Sequence, residues 1–287
     1  MSQANLSLPD KRSSENVILI EPTRGWIPIN LWELWQYREL LTFFIWRDLK
    51  VRYKQTALGV VWVILQPVMT MVVMSVVFGK MAKIPTDGIP YPIFAYSALV
   101  PWLYFAGGLS RAAGSMISSA HLIQKVYFPR LIVPIASVAG GVIDFLLSFG
   151  VLIVMMLYYE MYPNLSMIWT LIPLLLLATL LSLGVGLWLS VFNVYYRDVR
   201  YIVPFLTQFW LYVTPVVYPA RLVGDSWKFL YNLNPMVGVV NGFRWVLLDR
   251  GDPPGASIWI SVVVTLVVLI TGAMYFRRVE KTFADVI

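Results

Sequence analysis

Few side chains in this sequence have the type and spacing that catalysis or metal binding requires. The 287 residues include no cysteine and a single histidine, His121. This composition excludes disulfides, thiol catalysis and metal centres that need cysteines or several histidines. The acidic residues are scattered, and neither a D-x-D pair nor the G-x-x-x-x-G-K-[ST] phosphate-binding loop occurs. We therefore expect no catalytic centre, no metal site and no cofactor in this chain.

One carboxylate stands apart, because Asp144 is the only acidic residue deep in an apolar segment, GGVIDFLLSFG. An ionisable group inside a membrane is a functional candidate, but a proton pump needs several relay groups. We expect a protonated or hydrogen-bonded packing role beside Gly140 and Gly141, whose small size lets helices approach closely. A functional role for this carboxylate stays open.

The composition indicates a membrane protein. Hydrophobic residues make up 59% and charged residues 13% of the chain, and the mean hydropathy is +0.72. A soluble protein has about 45–50% apolar and about 25% charged residues. The net charge of +7 fits attraction to an anionic cytoplasmic leaflet and positive-inside orientation. We therefore expect membrane lipid as a partner and no nucleic acid.

Apolar length predicts the membrane topology. A spanning helix needs about 20 mostly apolar residues, and five stretches qualify: 58–79, 91–110, 131–158, 168–193 and 257–276. Residues 202–218 form a proline-broken sixth candidate, whereas 228–249 is short and contains Asn241 and Arg244.

Charge decides between the topologies. In one topology, 202–218 crosses the membrane and 228–249 enters it from the outside and returns. In that topology 16 of the 22 Lys and Arg residues lie on the same side as both termini, as the positive-inside rule favours. We predict an all-α integral membrane protein with six transmembrane helices, both termini cytoplasmic, and a re-entrant helical element at about 219–252 before the last span.

A basic amphipathic helix is predicted before the first span, over residues 29–56. Leu34, Tyr37 and Leu41 recur at helical spacing, and most charged residues occupy other faces. Such a helix lies in the membrane interface, either as a simple anchor or as a docking surface for a cytoplasmic partner. Residues 1–28 are predicted to be a mobile tail, and 57–287 the transmembrane domain.

Aromatic residues within the first and fifth spans suggest a conduit. Sugar rings present apolar C–H faces that stack on aromatic side chains, while their hydroxyls need a few polar partners. Each aromatic residue has packing or lipid contact as its alternative role. Pro67 predicts a kink in the first span, either structural or shaping the conduit wall. The predicted conduit-lining residues are Trp62, Gln66, Phe205, Gln208, Phe209 and Tyr212.

The segment ELWQYRELLTFFIWRDLKVRYKQTALGVVWVILQP resembles the N-terminal signature of type-2 ABC transporter permeases that export polysaccharides. SSAHLIQKVYFPRLIVP, NVYYRDVRYIVPFLTQFWLYVTPVVYP and LNPM extend the similarity, which runs from VILIEPTRGW to the C-terminus. The resemblance implies a homodimer with two ATP-binding cassette subunits, which would bind ATP and Mg. It also implies export of a lipid-linked polysaccharide, O-antigen first, across the bacterial inner membrane.

The resemblance also assigns roles to the loops. The segment 118–134 would be a coupling helix on the ATPase, although a buried or lipid-facing helix is the alternative, and 193–202 a second contact or a solvated turn. The coupling residues would be Arg47, Asp48, Ser119, His121, Leu122, Lys125, Arg197 and Asp198. The charge bias and the short apolar run, and not the resemblance, lead us to interpret the predicted re-entrant element as an outer gate. Its residues would be Tyr218, Asn234, Pro235, Asn241 and Arg244.

Other functions remain open beside O-antigen export. Teichoic acid or capsule export would use the same architecture. A membrane glycosyl- or acyltransferase would need converging acids or a histidine base, and His121 stands alone. A passive channel would not require the basic helix and the coupling-type loop.

Overall fold

The computed structural model describes residues 31–54, 59–86, 88–196, 198–249 and 255–283. Within these ranges the chain forms helices and connecting turns, without a β-strand. The predicted tail and the exact junction between the interface helix and the first span lie outside the described residues. The all-α class predicted from composition is confirmed.

The helices follow one another with short connections. In chain order they are α1 (Leu31–Gln36), α2 (Arg38–Lys54), α3 (Gly59–Met74), α4 (Tyr91–Ser118), α5 (Ala120–Lys125), α6 (Ile132–Ala139), α7 (Val142–Tyr158), α8 (Leu171–Tyr195), α9 (Val199–Val213), α10 (Asp225–Asn232), α11 (Pro235–Leu248) and α12 (Ala256–Val279). Five segments are long and apolar enough to cross a membrane: α3 with the turn after it, α4, α6 with α7, α8, and α12.

Three details of the spans differ from the prediction. The first span ends in a π-helical turn, Ser75–Met81. The second continues to Ser118, so Arg111 lies within the helix and not in the following loop. The third is divided at Gly140–Gly141. Helix extension past Arg111 is tolerated because this guanidinium has partners inside the protein, as described below.

The sixth predicted span corresponds to α9 together with the residues after it. Alone, 15 residues extend only about 22 Å. However, Val199 packs against Ala113 of α4, and the carbonyl of Val217 accepts a 2.8 Å hydrogen bond from the hydroxyl of Tyr91, at the other end of α4. Residues 91 and 113 are about 33 Å apart along the helix, so this part of the chain covers the thickness of a hydrocarbon core.

The beginning of the described chain meets the end of the last span. Arg277 of α12 lies 3.6 Å from Glu33 of α1 and 3.6 Å from Glu280. Burial raises the pKa of Glu280, and the nearby arginines oppose that rise. Because α1 and the end of α12 are adjacent, they lie at the same end of the helical bundle. The prediction of six crossings places them on the same side of the membrane.

Helix α4 forms the centre of the bundle, with α8 and α12 packed successively beside it. A Cβ atom at Gly184 of α8 would lie 2.8 Å from the Cα atom of Leu269 in α12. A Cβ atom at Gly272 would in turn lie 2.6 Å from the carbonyl oxygen of Gly184. Small residues that allow backbones to approach are the usual way in which membrane helices gain packing energy.

The predicted re-entrant element consists of α10 and α11. Helix α11 has 14 residues and is about 21 Å long, shorter than a hydrocarbon core of about 30 Å. It is almost completely buried and packs against α4, α8 and α12. By contrast, α10 exposes Trp227, Phe229 and Leu230.

The predicted interface helix is present as two helices with a turn at Tyr37. Its apolar stripe packs on the ends of α4, α6, α8 and α12, where Phe44 is 2% exposed. The rings of Phe44 and Phe128 meet edge to face with centroids 5.5 Å apart. The other face exposes Trp32, Trp35 and Trp46 beside charged residues such as Lys50, so the position of this helix in the membrane interface stays a prediction.

Candidate functional site

A cavity of about 350 Å³ opens between α3, α4, α7 and α9. Its size lies at the lower end of the range for small-molecule sites, about 300–1,000 Å³. Polar groups from four helices and aromatic rings share its wall. The lining residues are Val63, Gln66, Pro67, Val100, Trp102, Leu103, Tyr104, Ala106, Gly107, Arg111, Gly141, Asp144, Phe145, Ser148, Thr207 and Gln208.

Asp144 joins the interface helix to this cavity. Its Oδ2 atom accepts hydrogen bonds from Arg52 of α2 at 2.5 Å and from Arg111 of α4 at 3.5 Å. Its Oδ1 atom accepts a bond from the hydroxyl of Tyr53. Burial, followed by this contact with the carboxylate, raises the pKa of Tyr53 to about 12, so the phenol keeps its proton and acts as a donor.

The carboxylate is therefore hydrogen-bonded, as expected, but its partners are charged. A partly buried carboxylate is stabilised when opposite charges and hydrogen bonds replace water. Two guanidinium groups and a phenol meet that condition at Asp144. Sequence reasoning identified the acid but not Arg52, Tyr53 or Arg111. In the sequence, the one feature that could have indicated these three residues is their position just before or inside an apolar span.

The position of Arg111 depends on a small neighbour. Its Nε atom donates a 3.0 Å hydrogen bond to the carbonyl oxygen of Ser137. A Cβ atom at Gly141 would lie 1.9 Å from the Nη2 atom of Arg111. Glycine at the α6–α7 junction thus makes room for the guanidinium, whereas the sequence prediction assigned it to close helix approach.

The predicted conduit residues fall into two groups. Gln66 and Gln208 line the cavity, one from α3 and one from α9. The aromatic residues lie on the exposed faces of the same two helices and outside the cavity lining. Their exposed fractions are 58% for Trp62, 73% for Phe205, 60% for Phe209 and 49% for Tyr212. Their role as conduit walls stays a prediction.

The predicted coupling residues also divide by burial. His121, Lys125 and Asp198 are exposed, as a contact with a partner requires. Ser119 is 3% exposed and accepts a 3.5 Å hydrogen bond from Arg47, so it faces α2. Leu122 packs against the core beneath α2.

Two further coupling residues are paired with each other. Arg47 and Asp48 form an ion pair of 2.8 Å. Arg197 lies outside the described residues. The exposed part of the α5 segment is therefore its His121 and Lys125 face, and Ser119 and Leu122 hold that face in place.

The predicted gate is fixed by Asn234 at the start of α11. Its Oδ1 atom caps the helix by accepting the Met236 amide hydrogen at 3.1 Å, and it also accepts the indole hydrogen of Trp210 at 2.8 Å. Its Nδ2 atom donates to Thr214 at 2.9 Å. One side chain thus ties α11 to α9 at the point where Pro235 begins the helix.

Arg244 is the second fixed point of the gate, and it is 7% exposed. Its guanidinium donates to four backbone carbonyls, those of Phe94, Pro215, Val216 and Tyr218. Tyr218 is half-buried and donates to the carbonyl of Tyr212 at 3.1 Å. Asn241 is half-buried. Hydrogen bonds from Asn234 and Arg244 thus hold the predicted gate residues against the segment that follows α9.

Comparisons with known proteins agree with this architecture. A family model described as ABC-2 type transporter matches residues 39–248. The chain is 29% identical over 257 residues to the O-antigen export system permease protein RfbA of Myxococcus xanthus, covering 88% of this chain and 97% of that protein. It is 26% identical over 250 residues to RfbA of Klebsiella pneumoniae, covering 87% and 95%.

A third relative transports another polysaccharide. The polysialic acid transport protein KpsM of Escherichia coli is 25% identical over 246 residues, covering 82% of this chain and 91% of that protein. The family match includes nearly all of α2, the helices that border the cavity, and α11. Since it extends over most of the sequence, this chain belongs to the ABC-2 type transporter family.

Proposed function

We propose that this chain is the membrane subunit of an ATP-driven exporter that moves lipid-linked O-antigen across the bacterial inner membrane. The observation that carries the proposal is the exposed face of α3 and α9. Gln66 and Gln208 are exposed there and border the cavity, beside the aromatic residues Trp62 and Phe209. Polar amides and aromatic rings together suit a polymer of sugar rings.

Two copies of the chain would enclose the path. Amide side chains on an exposed membrane face are unfavourable against lipid, and they usually face other helices or a water-filled space. Gln66 and Gln208 belong to different helices that border the same cavity. This supports a homodimer in which the α3 and α9 faces of both subunits surround the polysaccharide.

Energy would come from two ATP-binding cassette subunits that bind ATP and Mg. The exposed face of the α5 segment, with His121 and Lys125, and the exposed Asp198 are the proposed contacts. They lie on the side where α1 meets the end of α12. This side would be cytoplasmic, which agrees with the excess of lysine and arginine there.

Capsule polysaccharide is the second candidate substrate. The similarity to KpsM supports it, and the Arg111 guanidinium in the cavity wall is compatible with acidic sugars. Because Asp144 pairs with this guanidinium, the site does not present an unopposed positive charge to a polyanion. The similarity to the RfbA proteins, which is higher over a longer alignment, favours O-antigen.

The test is transport by the purified complex. The tagged chain is co-expressed with candidate ATP-binding cassette subunits from its own organism, reconstituted in proteoliposomes, and supplied with lipid-linked O-antigen or with an acidic capsule polymer. We expect co-purification of the ATPase and ATP-dependent translocation of O-antigen. Translocation of the capsule polymer alone would favour the second candidate. Failure of any ATPase to co-purify would contradict both.

A further inference from the structure

Helix α2 is attached to the rest of the protein at two different levels. Near its middle, Arg47 donates to Ser119 at 3.5 Å, immediately before α5. At its end, Arg52 and Tyr53 bind Asp144 in the third span. Five residues separate the two attachments, which is about 7.5 Å along a helix. A short rigid rod therefore connects the α5 surface to the wall of the cavity.

Beyond Asp144 the connection continues into α4 and α6. Asp144 contacts Arg111, which is held by the carbonyl of Ser137 in α6. Asp144 and Arg111 both line the cavity. Asp144 of α7 therefore contacts α2 and α4 directly, and α6 through Arg111, for whose guanidinium Gly141 leaves space.

We propose that Asp144 is a positioning residue through which movement of α2 changes the wall of the transport cavity. The proposal rests on the proposed function, since it needs an ATPase acting beside α5. A displacement of α2 by more than a hydrogen-bond length withdraws Arg52 and Tyr53 from the carboxylate. Asp144 is then left with Arg111 as its charged partner.

The physical consequence is a rearrangement of charge at the cavity. With α2 in place, the 2.5 Å contact with Arg52 is much closer than the 3.5 Å contact with Arg111. When the first contact is lost, the attraction between Asp144 and Arg111 is no longer shared. The two groups approach each other, and the guanidinium leaves the carbonyl of Ser137 that fixes it. The cavity wall therefore has two arrangements, each selected by the position of α2.

Export coupled to ATP hydrolysis gives the first test, in the complete transporter in proteoliposomes with lipid-linked O-antigen. Asp144→Asn keeps the shape but weakens the ion pairs, and Tyr53→Phe removes a single hydroxyl. We expect both to bind the ATPase and keep basal hydrolysis, while exported chains per ATP fall about tenfold for Asp144→Asn, within the usual range of coupling energies. Asp144→Glu should recover part of the loss, because it retains a carboxylate.

The matched control is Glu160→Gln, which removes an exposed carboxylate just beyond the other end of α7. It should export at the normal ratio. A normal ratio for both Asp144→Asn and Tyr53→Phe would overturn the proposal. So would a loss of export that is fully explained by lost assembly in both variants, since that outcome assigns Asp144 a structural role alone.

A distance measurement separates this proposal from the proposed function. The chain has no cysteine, so Ser110→Cys and Leu146→Cys, at exposed positions of the cavity-wall helices α4 and α7, can carry two spin labels. We expect ATP to shift their separation in the otherwise unmodified complex and not in the Asp144→Asn complex. If ATP produces no shift, the proposal fails even when O-antigen is exported. If ATP produces the shift but no polysaccharide is transported, the substrate assignment fails and the positioning role stands.

Discussion

The guanidinium carbon of Arg244 lies 3.7 Å from the centroid of the Phe94 ring. The same guanidinium donates to the carbonyl of Val216 at 2.6 Å and to that of Tyr218 at 3.3 Å. A buried cation is costly unless its donors are satisfied. Here an aromatic face and backbone carbonyls satisfy them, and they connect α11 to α4 and to the chain after α9. Helix α11 is therefore an integral part of the bundle.

Replacing this arginine should destabilise the whole protein. Arg244→Met leaves several buried carbonyls without a donor and removes the cation–π contact, so we expect a loss of about 3–5 kcal/mol in the free energy of unfolding. Arg244→Lys should lose less, because an ammonium retains the charge but lacks the planar fork. Thermal unfolding in detergent measures the effect. Lys228→Met, which breaks an exposed ion pair with Asp225, serves as the control and should melt normally.

A pair of glycines tests the packing of α8 against α12. Gly184→Ala would place a Cβ atom within 2.9 Å of two backbone atoms of Leu269, so separation of the helices should cost about 1–3 kcal/mol. Gly150→Ala in α7 meets no heavy atom within 4 Å and should leave the melting temperature unchanged or slightly higher. Equal melting temperatures for the two variants would show that the stability of the protein does not depend on the close approach of α8 and α12.

Apolar length was sufficient to predict the five long apolar helices and the short α11, because the length of a spanning helix follows from the thickness of the bilayer. The partners of Asp144 could not be predicted in this way. Arg52 and Arg111 are 92 and 33 residues from it in the chain, and a hydrophobicity pattern carries no information on which polar groups meet. The π-helical turn after Met74 likewise has no periodic signal.

The division of the third span shows a second limit. Gly140 and Gly141 are visible in the sequence, but glycine is common in continuous membrane helices. The break between α6 and α7 accompanies the placement of the Arg111 guanidinium over Gly141. Only the three-dimensional arrangement of α4 beside this junction reveals the reason for the glycine.

The α5 segment offers two substitutions with different expected outcomes. Lys125 is exposed, so Lys125→Glu should give normal amounts of folded protein but reduce ATP hydrolysis and export together. Leu122 packs beneath α2, so Leu122→Asp should reduce the yield of folded protein through burial of a charge. Yield by size-exclusion chromatography and hydrolysis per complex separate the two effects. Normal export by Lys125→Glu would remove this face from the coupling surface.

Single cysteines can establish the orientation of the membrane segments. We expect a membrane-impermeant maleimide to label Ser226→Cys and Asp252→Cys from the outside, because α10 precedes and residue 252 follows the re-entrant α11. His121→Cys, on the exposed side of α5, should be labelled only after the membrane is opened. Labelling of Asp252→Cys from the cytoplasmic side alone would contradict a re-entrant α11.

Substitution of exposed aromatic residues tests the predicted conduit. A polymer must slide, so its walls should make weak, repeated contacts rather than hold one sugar tightly. Trp62 and Phe209 are 58% and 60% exposed on α3 and α9, and each can stack with sugar rings without a fixed register. Trp62→Ala with Phe209→Ala should therefore lower the rate of export, more for long polysaccharides than for short ones. Dimer formation and basal ATP hydrolysis should be retained.

An exposed aromatic residue away from the cavity provides the control for this experiment. Trp259 is 72% exposed on α12, outside the helices that border the cavity, so Trp259→Ala should export long chains at the normal rate. Export is measured as the length distribution of protected polysaccharide inside inverted vesicles, with light scattering for the oligomeric state. A selective loss of long chains in the double variant supports stacking along α3 and α9. An unchanged length distribution means that these rings face lipid and that the polymer takes another path.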